Sequence, residues 1–419
     1  MNAALRSAPI PIFDNLEYIG NPFQLKPETD AFQLPAHITI NGAERDYEFA
    51  LKFLYSYNGS TATFNAYRRE LERLLQWSWH IQELSIAELK REDIEAFIRF
   101  CQNPPLTWIG TKNVPRFIDS NGARGPNSEW RPFVASIPKS QFRSGKMADT
   151  KQFMPSQAAV KATFTALSSF YDFLLQETVV ASNPVALMRQ KSKFIQRNQN
   201  RDIVRRVSNL QWDYVIETAE MMANATPEAH ERTLFIMNCL FAMYLRISEL
   251  VSDERSTPAM GHFRKDMDGN WWFHVTGKGN KSRTVTVSDE MLKALRRYRH
   301  HLGLSPLPTQ DEQTPLVQKN LGKGPVTSTR HIRTIVQHCF DAAFERMVAD
   351  GMGDDAAELR AATVHWLRHT GISEDVKTRP REHVRDDAGH SSMQTTDRYI
   401  ESDLRERHRS GKGKQIKDL

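Results

Sequence analysis

Residues 365–399 read HWLRHTGISEDVKTRPREHVRDDAGHSSMQTTDRY. The opening HWLRHT has helical character, and His365 and Arg368, three positions apart, then share one helix face. Gly389 suits the end of the following segment and frees the backbone just ahead of His390. Tyr399 closes the stretch. Upstream lie two further basic residues in distinctive settings: Arg246 in YLRISEL and Lys278 in GKGNKSR.

Taken in order, these groups are suited to holding a phosphodiester and attacking it with a phenolate. Attack by an oxygen nucleophile builds charge on the non-bridging oxygens, and a guanidinium answers it with a planar fork of donors that stays ionised. Arg246 and Arg368 are the candidates, and preorganised charge of this kind is usually the largest catalytic term. Tyr399 is the candidate nucleophile. A free tyrosine ionises near pH 10, so it needs a base. His365 is the expected base, because imidazole switches charge near neutral pH. His390 is expected to hydrogen-bond the phosphate from the other side. Lys278 is expected to protonate the leaving 5′ oxygen. Trp271–Thr276 (WWFHVT) and Ser282–Ser288 (SRTVTVS) alternate as strands, with Gly277 and Gly279 at the turn, so Lys278 sits on a hairpin tip. Glu249, three after Arg246 on what reads as the same helix, is a candidate buttress for Arg246 or Arg368.

Each residue has a plainer reading by itself. Lys278 could be a charged turn, His365 and Arg368 a solvated helix face, Arg246 a favourable charge at the end of the apolar run Leu234–Leu245, and Tyr399 a packed aromatic. The functional reading rests on their joint occurrence between residues 246 and 399. Two other motifs fall short. His365 and His369 have zinc spacing, but Trp366 stands where the HExxH glutamate belongs, and GKGNKS lacks P-loop order.

On these residues, the C-terminal half resembles the tyrosine recombinases, or phage integrase family, over Val207–Ser402. The family's arginine box matches YLRISEL, its lysine hairpin matches TGKGNKSR, and HWLRHT, GHSS and a tyrosine nine residues after the last histidine complete the set. The departures are Tyr244 before the LR, Gly371 after HT, and a polar Val384-Arg385-Asp386-Asp387 before GHSS. The resemblance implies a mainly α fold: an N-terminal helical core-binding (SAM-like) domain, then an α+β catalytic domain of the DNA breaking-rejoining type with a small β-sheet. It implies double-stranded DNA as substrate, a 3′-phosphotyrosyl intermediate, a Holliday junction, a homotetramer on two DNA sites, and no metal or other cofactor. A directionality factor or a host DNA-bending protein is the expected accessory partner. The long insertion in the N-terminal half and the divergent box favour a mobile-element integrase over a chromosome-dimer resolvase. The rivals are type IB topoisomerase chemistry, a catalytically silent DNA-binding protein and a zinc hydrolase.

The chain has 419 residues, a net charge of +6, 25% charged and 40% hydrophobic residues, which fits a globular protein of two or three domains. There is no membrane-length apolar run and no signal-like apolar core near the N-terminus. Cys101, Cys239 and Cys339 are too few and too scattered for a disulfide framework, so a reducing bacterial cytoplasm, at the nucleoid, is the expected setting. The expected divisions are a proline-rich, non-basic extension (1–47), a helical core-DNA-binding domain (48–188), a basic linker (189–206), the catalytic domain (207–403) and a basic tail (404–419). Helical periodicity marks Thr61–Ile81, Leu89–Cys101 and Ala158–Gln176. Between the second and third lies the insertion, at about 103–156, rich in Pro, Gly, bases and aromatics. It suits either a DNA-tracking loop or a surface-packed elaboration. Candidate DNA contacts are Arg68, Arg69 and Arg73 off the apolar stripe of the first helix, Arg189, Lys191, Lys193 and Arg197 in the linker, and Lys281 and Arg283 on the hairpin. The tail is expected to dock on a neighbouring subunit.

Overall fold

The structure is a computed structural model that describes residues 8–23, 40–120, 122–186, 188, 205–254, 256–277, 282–397, 399 and 411–412. The chain divides into two units, residues 1–199 and 200–419. Nearly all of the expected linker and tail lie outside the described residues.

In the first unit, α1 (Ala43–Tyr55), α2 (Thr61–Trp77) and α3 (Arg91–Gln102) precede the long insertion, and α5 (Gln157–Gln176) follows it. The apolar stripe of α2 points Phe64, Leu71, Leu74 and Leu75 inward, all fully buried, and α2 packs on α1 and α5. A π-helical turn, Ser78–Gln82, prolongs α2. The start of α5 is set by Ser156, whose Oγ accepts from the Ala159 backbone N–H at 3.1 Å.

The insertion is woven into this unit. Strand β1 (Ile109–Gly110) pairs in parallel with β4 (Phe133–Val134), and β2 (Phe117–Ser120) pairs antiparallel with β3 (Ala123–Pro126). A short helix, α4 (Lys139–Arg143), follows. Trp108, Trp130 and Phe133 are buried, so the region contributes core. The segment before α1 is tied in through Glu72, a fully buried carboxylate on α2. It accepts from the backbone N–H groups of Ile12 (2.7 Å) and Phe13 (3.3 Å) and pairs with Arg116 at 2.8 Å.

The second unit opens with α6 (Asn209–Ala225), started by a reciprocal cap between Ser208 and Gln211. Next comes α7 (Pro227–Ala242), with proline in its first turn where no N–H is needed. It lies against α6, α8 (Asp289–His301) and α11 (Val364–Asp375), which is why its sequence is apolar on several sides. Strands β5 (Phe263–Lys265), β6 (Trp271–Thr276) and β7 (Ser282–Thr286) form an antiparallel meander in that order. Phe273 and Val275 point into the core and His274 points out, as a half-buried sheet requires. The long helix α9 (Thr329–Ala349), a single turn α10 (Gly353–Ala356), α12 (Arg381–Ala388) and α13 (Met393–Asp397) complete the unit. Among the described residues, no helix is long and apolar enough to cross a membrane.

Candidate active site

The site is assembled where α7, α11 and α12 end or meet. After α7 the chain turns through Tyr244, a non-glycine residue in the left-handed region at φ 49°. This turn aims the Tyr244 carbonyl at Arg368, whose Nη1 donates to it, while Arg368 Nη2 donates to the Ala388 carbonyl. The phenol of Tyr244 donates to Asp375 and accepts from Arg379 Nη1 at 3.1 Å, so its hydroxyl is held by two partners. Arg246 follows two residues on. It does not continue a helix, as its sequence suggests, but caps the single 3-10 turn Ile247–Glu249. Its Nη2 donates to the Gly389 carbonyl at 3.1 Å. The two guanidiniums thus grip consecutive carbonyls of the α12 C-terminus, the turn that carries His390.

Gly389 makes that turn possible. Its φ is 63°, and a Cβ there would fall 2.7 Å from Arg283 Cδ. Arg283 was expected to face DNA, and its placement corrects that. The side chain is nearly enclosed, donating from Nη1 and Nη2 to Glu249 (2.6 and 2.8 Å) and from Nε to the Asp387 carbonyl at 2.9 Å. Glu249 also accepts from the Arg246 backbone N–H and Nη1, at 2.7 and 2.9 Å. Burial pushes the Glu249 carboxyl up, but the donors of Arg283 and Arg246 together hold it below the ordinary carboxylate range. Asp387, in the polar stretch before GHSS, is buried as well. It accepts from Arg379 Nη2 (2.6 Å) and from Thr286 N–H (3.1 Å), tying β7 to α12.

Three guanidiniums, Arg246, Arg283 and Arg368, therefore stand around the one carboxylate of Glu249. Burial, then the charge of Arg246, brings Arg368 down to about 10. This is an electropositive pocket suited to a phosphate. The imidazoles respond to it. His390 falls to about 4 through burial and the nearby Arg368 and Arg246 charges, and His365, though solvent-exposed in part, is lowered by partial desolvation and by Arg368.

Tyr399 enters from beyond α13. Its ring is buried with Tyr244, Ile372, Val384 and Ala388, and stacks on His390 with centroids 5.6 Å apart. Its hydroxyl lies 2.7 Å from His369 Nδ1. The base expected from sequence was His365; the histidine against the hydroxyl is His369, one helical turn further along α11. His365 keeps its place three residues before Arg368 but is exposed at the helix start. The signal for His369 was present in the four-residue spacing of the two histidines, which brings both to one side of a helix. Their rings lie 6.3 Å apart. Among the described residues, no three His, Cys, Asp or Glu side chains are grouped to hold a metal ion.

Residues 215–406 match the family model described as "Phage integrase family". These residues form a phage integrase family domain. Two curated relatives are similar to the chain that contains it. One is the tyrosine recombinase XerC of Chlorobaculum parvum, 22% identical over 276 residues, spanning 61% of this chain and 74% of that protein. The other is the XerC of Chlamydia caviae, 24% identical over 254 residues, with 58% and 67% covered. The fold is that of the XerH site-specific recombinase in its post-cleavage complex with a palindromic difH substrate (TM-score 0.53, 12% identity, 89% of this chain and 84% of that one). It is also that of the Tn1549 transposon integrase with a circular-intermediate DNA (TM-score 0.51, 12% identity, 88% and 98% covered). The integrase-family domain therefore sits in a chain that is mainly helical with small sheets, and the arginine and histidine pocket around Tyr399 lies within it.

The other expected DNA contacts fare differently. Arg68 is buried and donates to the Asp14 carbonyl and, at 3.0 Å, to Asn15 Oδ1. Arg73 donates to the Pro132 carbonyl and to Glu70 and lies 4.4 Å over the Phe133 ring. Both face other segments of their own unit, Arg68 the stretch before α1 and Arg73 the insertion, because those segments cover this side of α2. Arg69 remains exposed beside Glu70. Lys278, Lys281, Arg189, Lys191, Lys193 and Arg197 lie outside the described residues.

Proposed function

We propose that this protein is a site-specific tyrosine recombinase that cleaves and rejoins double-stranded DNA through a 3′-phosphotyrosyl intermediate. The observation that carries the reading is the convergence of Arg246, Arg368, His390 and Tyr399 on the turn at Ala388–His390. Arg246 and Arg368 bind the non-bridging oxygens of the scissile phosphate and stabilise the charge that grows on them. His390 donates to the same phosphate. Tyr399 Oη attacks phosphorus, and the 5′ oxygen leaves with a proton from Lys278. The covalent bond preserves the energy of the broken one, so the partner strand's 5′-hydroxyl can reverse the step without ATP. On this reading His365, at the start of α11, contacts the phosphate.

The same reading extends to the assembly. A homotetramer acts on two DNA sites through a Holliday junction, with integration and excision of a mobile element as the biological role. Arg69 and the basic linker track the DNA backbone, the tail couples neighbouring subunits, and a directionality factor or DNA-bending protein sets the outcome. The setting is the bacterial cytoplasm.

Covalent trapping tests this. The protein is incubated with nicked host DNA and denatured, the protein-linked DNA is sequenced, and Tyr399→Phe serves as control. Adducts at one recurrent sequence, absent in the variant, are expected. Adducts spread over unrelated sequences would indicate topoisomerase-like relaxation instead. DNA binding with no adduct at all would reject the reading.

A further inference from the structure

We infer that His369 is a catalytic residue that aligns the Tyr399 hydroxyl and takes its proton when Tyr399 attacks. The inference rests on Tyr399 being the nucleophile. Three observations support it. The Nδ1–Oη distance of 2.7 Å is that of a formed hydrogen bond, and among the described histidines His369 is the one placed at that oxygen. The ring follows two candidate site residues on α11: His365 one turn before it and Arg368 immediately before it. The Tyr399 ring is itself clamped, with His390 stacked on one side and the apolar group of Ile372, Val384 and Ala388 around it. The hydroxyl therefore has a fixed bearing toward Nδ1.

The electrostatics determine when the transfer occurs. Burial, then the neighbouring His365 and Arg368, lowers His369 to about 4, so at neutral pH the ring is uncharged and able to accept. The Tyr399 hydroxyl then donates to it in the absence of substrate. A phosphate bound between Arg246 and Arg368 brings in negative charge, offsets the guanidiniums and favours an imidazolium beside it. Base strength thus rises as DNA enters. In the reaction the Oη–H bond breaks and its proton goes to Nδ1. The Oη–P bond forms, the P–O5′ bond breaks, and O5′ takes a proton from Lys278. In rejoining, O5′ gives its proton back to Lys278 and bonds to phosphorus, the P–Oη bond breaks, and Nδ1 returns its proton to Oη.

The test uses the full chain and a nicked duplex carrying the sequence recovered by trapping. One version has an ordinary scissile phosphate, and the other has sulfur in place of the bridging 5′ oxygen. A thiolate leaves without a proton, so the sulfur substrate relieves a missing general acid but not a missing base. His369→Phe should cleave both substrates about 100-fold or more slowly than wild type while binding DNA normally. His369→Gln, which can accept a hydrogen bond but not a proton, should recover part of the rate. Its rate should rise steeply with pH, since hydroxide must then supply the base. Wild-type rates for His369→Phe, or a defect cured by the sulfur substrate, would overturn the role of His369 while leaving Tyr399 as nucleophile. Failure of wild-type protein to give any Tyr399-dependent adduct would overturn both. A second measurement does not depend on how the His369 variants fold. In 15N spectra of the DNA-free protein, Tyr399→Phe should shift the His369 Nδ1 resonance as an acceptor losing its donor, and an unmoved resonance counts against the inference.

Discussion

Substituting Gly371 sets two effects of opposite sign against each other. Gly371 lies inside α11, where replacing glycine by alanine ordinarily stabilises a helix by about 1 kcal/mol. Here an added Cβ would run into the Phe241 carbonyl oxygen and approach the Tyr244 Cδ1 at 3.2 Å. The first obstacle is backbone at the end of α7, not a side chain that can swing away, so α11 and α7 must move apart. Overpacking of this kind costs about 1–3 kcal/mol, and a backbone clash belongs at the upper end. Taking about 3 against about 1, Gly371→Ala should destabilise the C-terminal unit by about 2 kcal/mol, which for a unit of this size lowers its melting temperature by about 4–8 °C. Arg368 is one turn earlier on the same helix and holds the carbonyls of Tyr244, just past α7, and Ala388, so cleavage should fall as well while DNA binding is kept. Calorimetry of the full chain, following the transition of the C-terminal unit, reads the first effect, and single-turnover cleavage reads the second. An unchanged or raised melting temperature would mean that helix propensity governs the position and that the close approach of α11 to α7 is not as described. The same contact accounts for two departures from the family's sequence pattern. A large residue at 244 and none at 371 are complementary, because the Tyr244 ring lies against Gly371.

Three further outcomes follow from the same geometry. Arg283→Lys should lower both stability and cleavage, since a lysine cannot supply the two-pronged contact to Glu249 together with the bond to the Asp387 carbonyl; unchanged melting and cleavage would return Arg283 to the DNA-facing role. Glu72→Ala should cost about 3–5 kcal/mol in the N-terminal unit, because it strands Arg116 and the Ile12 and Phe13 N–H groups; protease sensitivity near residues 8–23 and the unfolding midpoint report it, and a small change would show that the segment is held otherwise. For pH, His369 and His390 both titrate near 4 when folded against an ordinary 6.5, so the unfolded chain binds more protons between those values. The stability they contribute is complete above about pH 6.5 and is lost as pH falls toward about 4. Urea midpoints of the C-terminal unit across that window should decline, and less steeply in a His369→Gln, His390→Gln double variant; equal slopes would contradict the placement of the two rings.

Much of the architecture was legible along the chain. Helical periodicity placed α2, α3 and α5 to within a few residues, and alternation placed β6 and β7, because those signals are local: a buried stripe must recur with the period of its own element. The order of basic motifs ending at Tyr399 was also legible, since a growing phosphate charge and a nucleophile that must be deprotonated restrict the side chains that serve. The insertion was not. Its bases looked free for DNA, yet Arg116 and Arg124 are paired with Glu72 and with Asp14 and Asp119.

The sequence by itself thus determined which chemical groups this protein brings to bear and on which elements they ride. Only the tertiary structure decided which of them meet. Spacing showed that His365 and His369 share a helix face, but not which would face a tyrosine arriving from beyond α13. Periodicity put Arg68 and Arg73 off the apolar stripe and alternation put Arg283 on the hairpin, but not against buried carboxylates and carbonyls supplied by distant segments. Asp387 read as part of a polar stretch and is a buried anchor for Arg379 and β7. The reason is physical. A charged side chain's role depends on partners brought within about 3 Å by folding, and sequence separation carries no information about that distance.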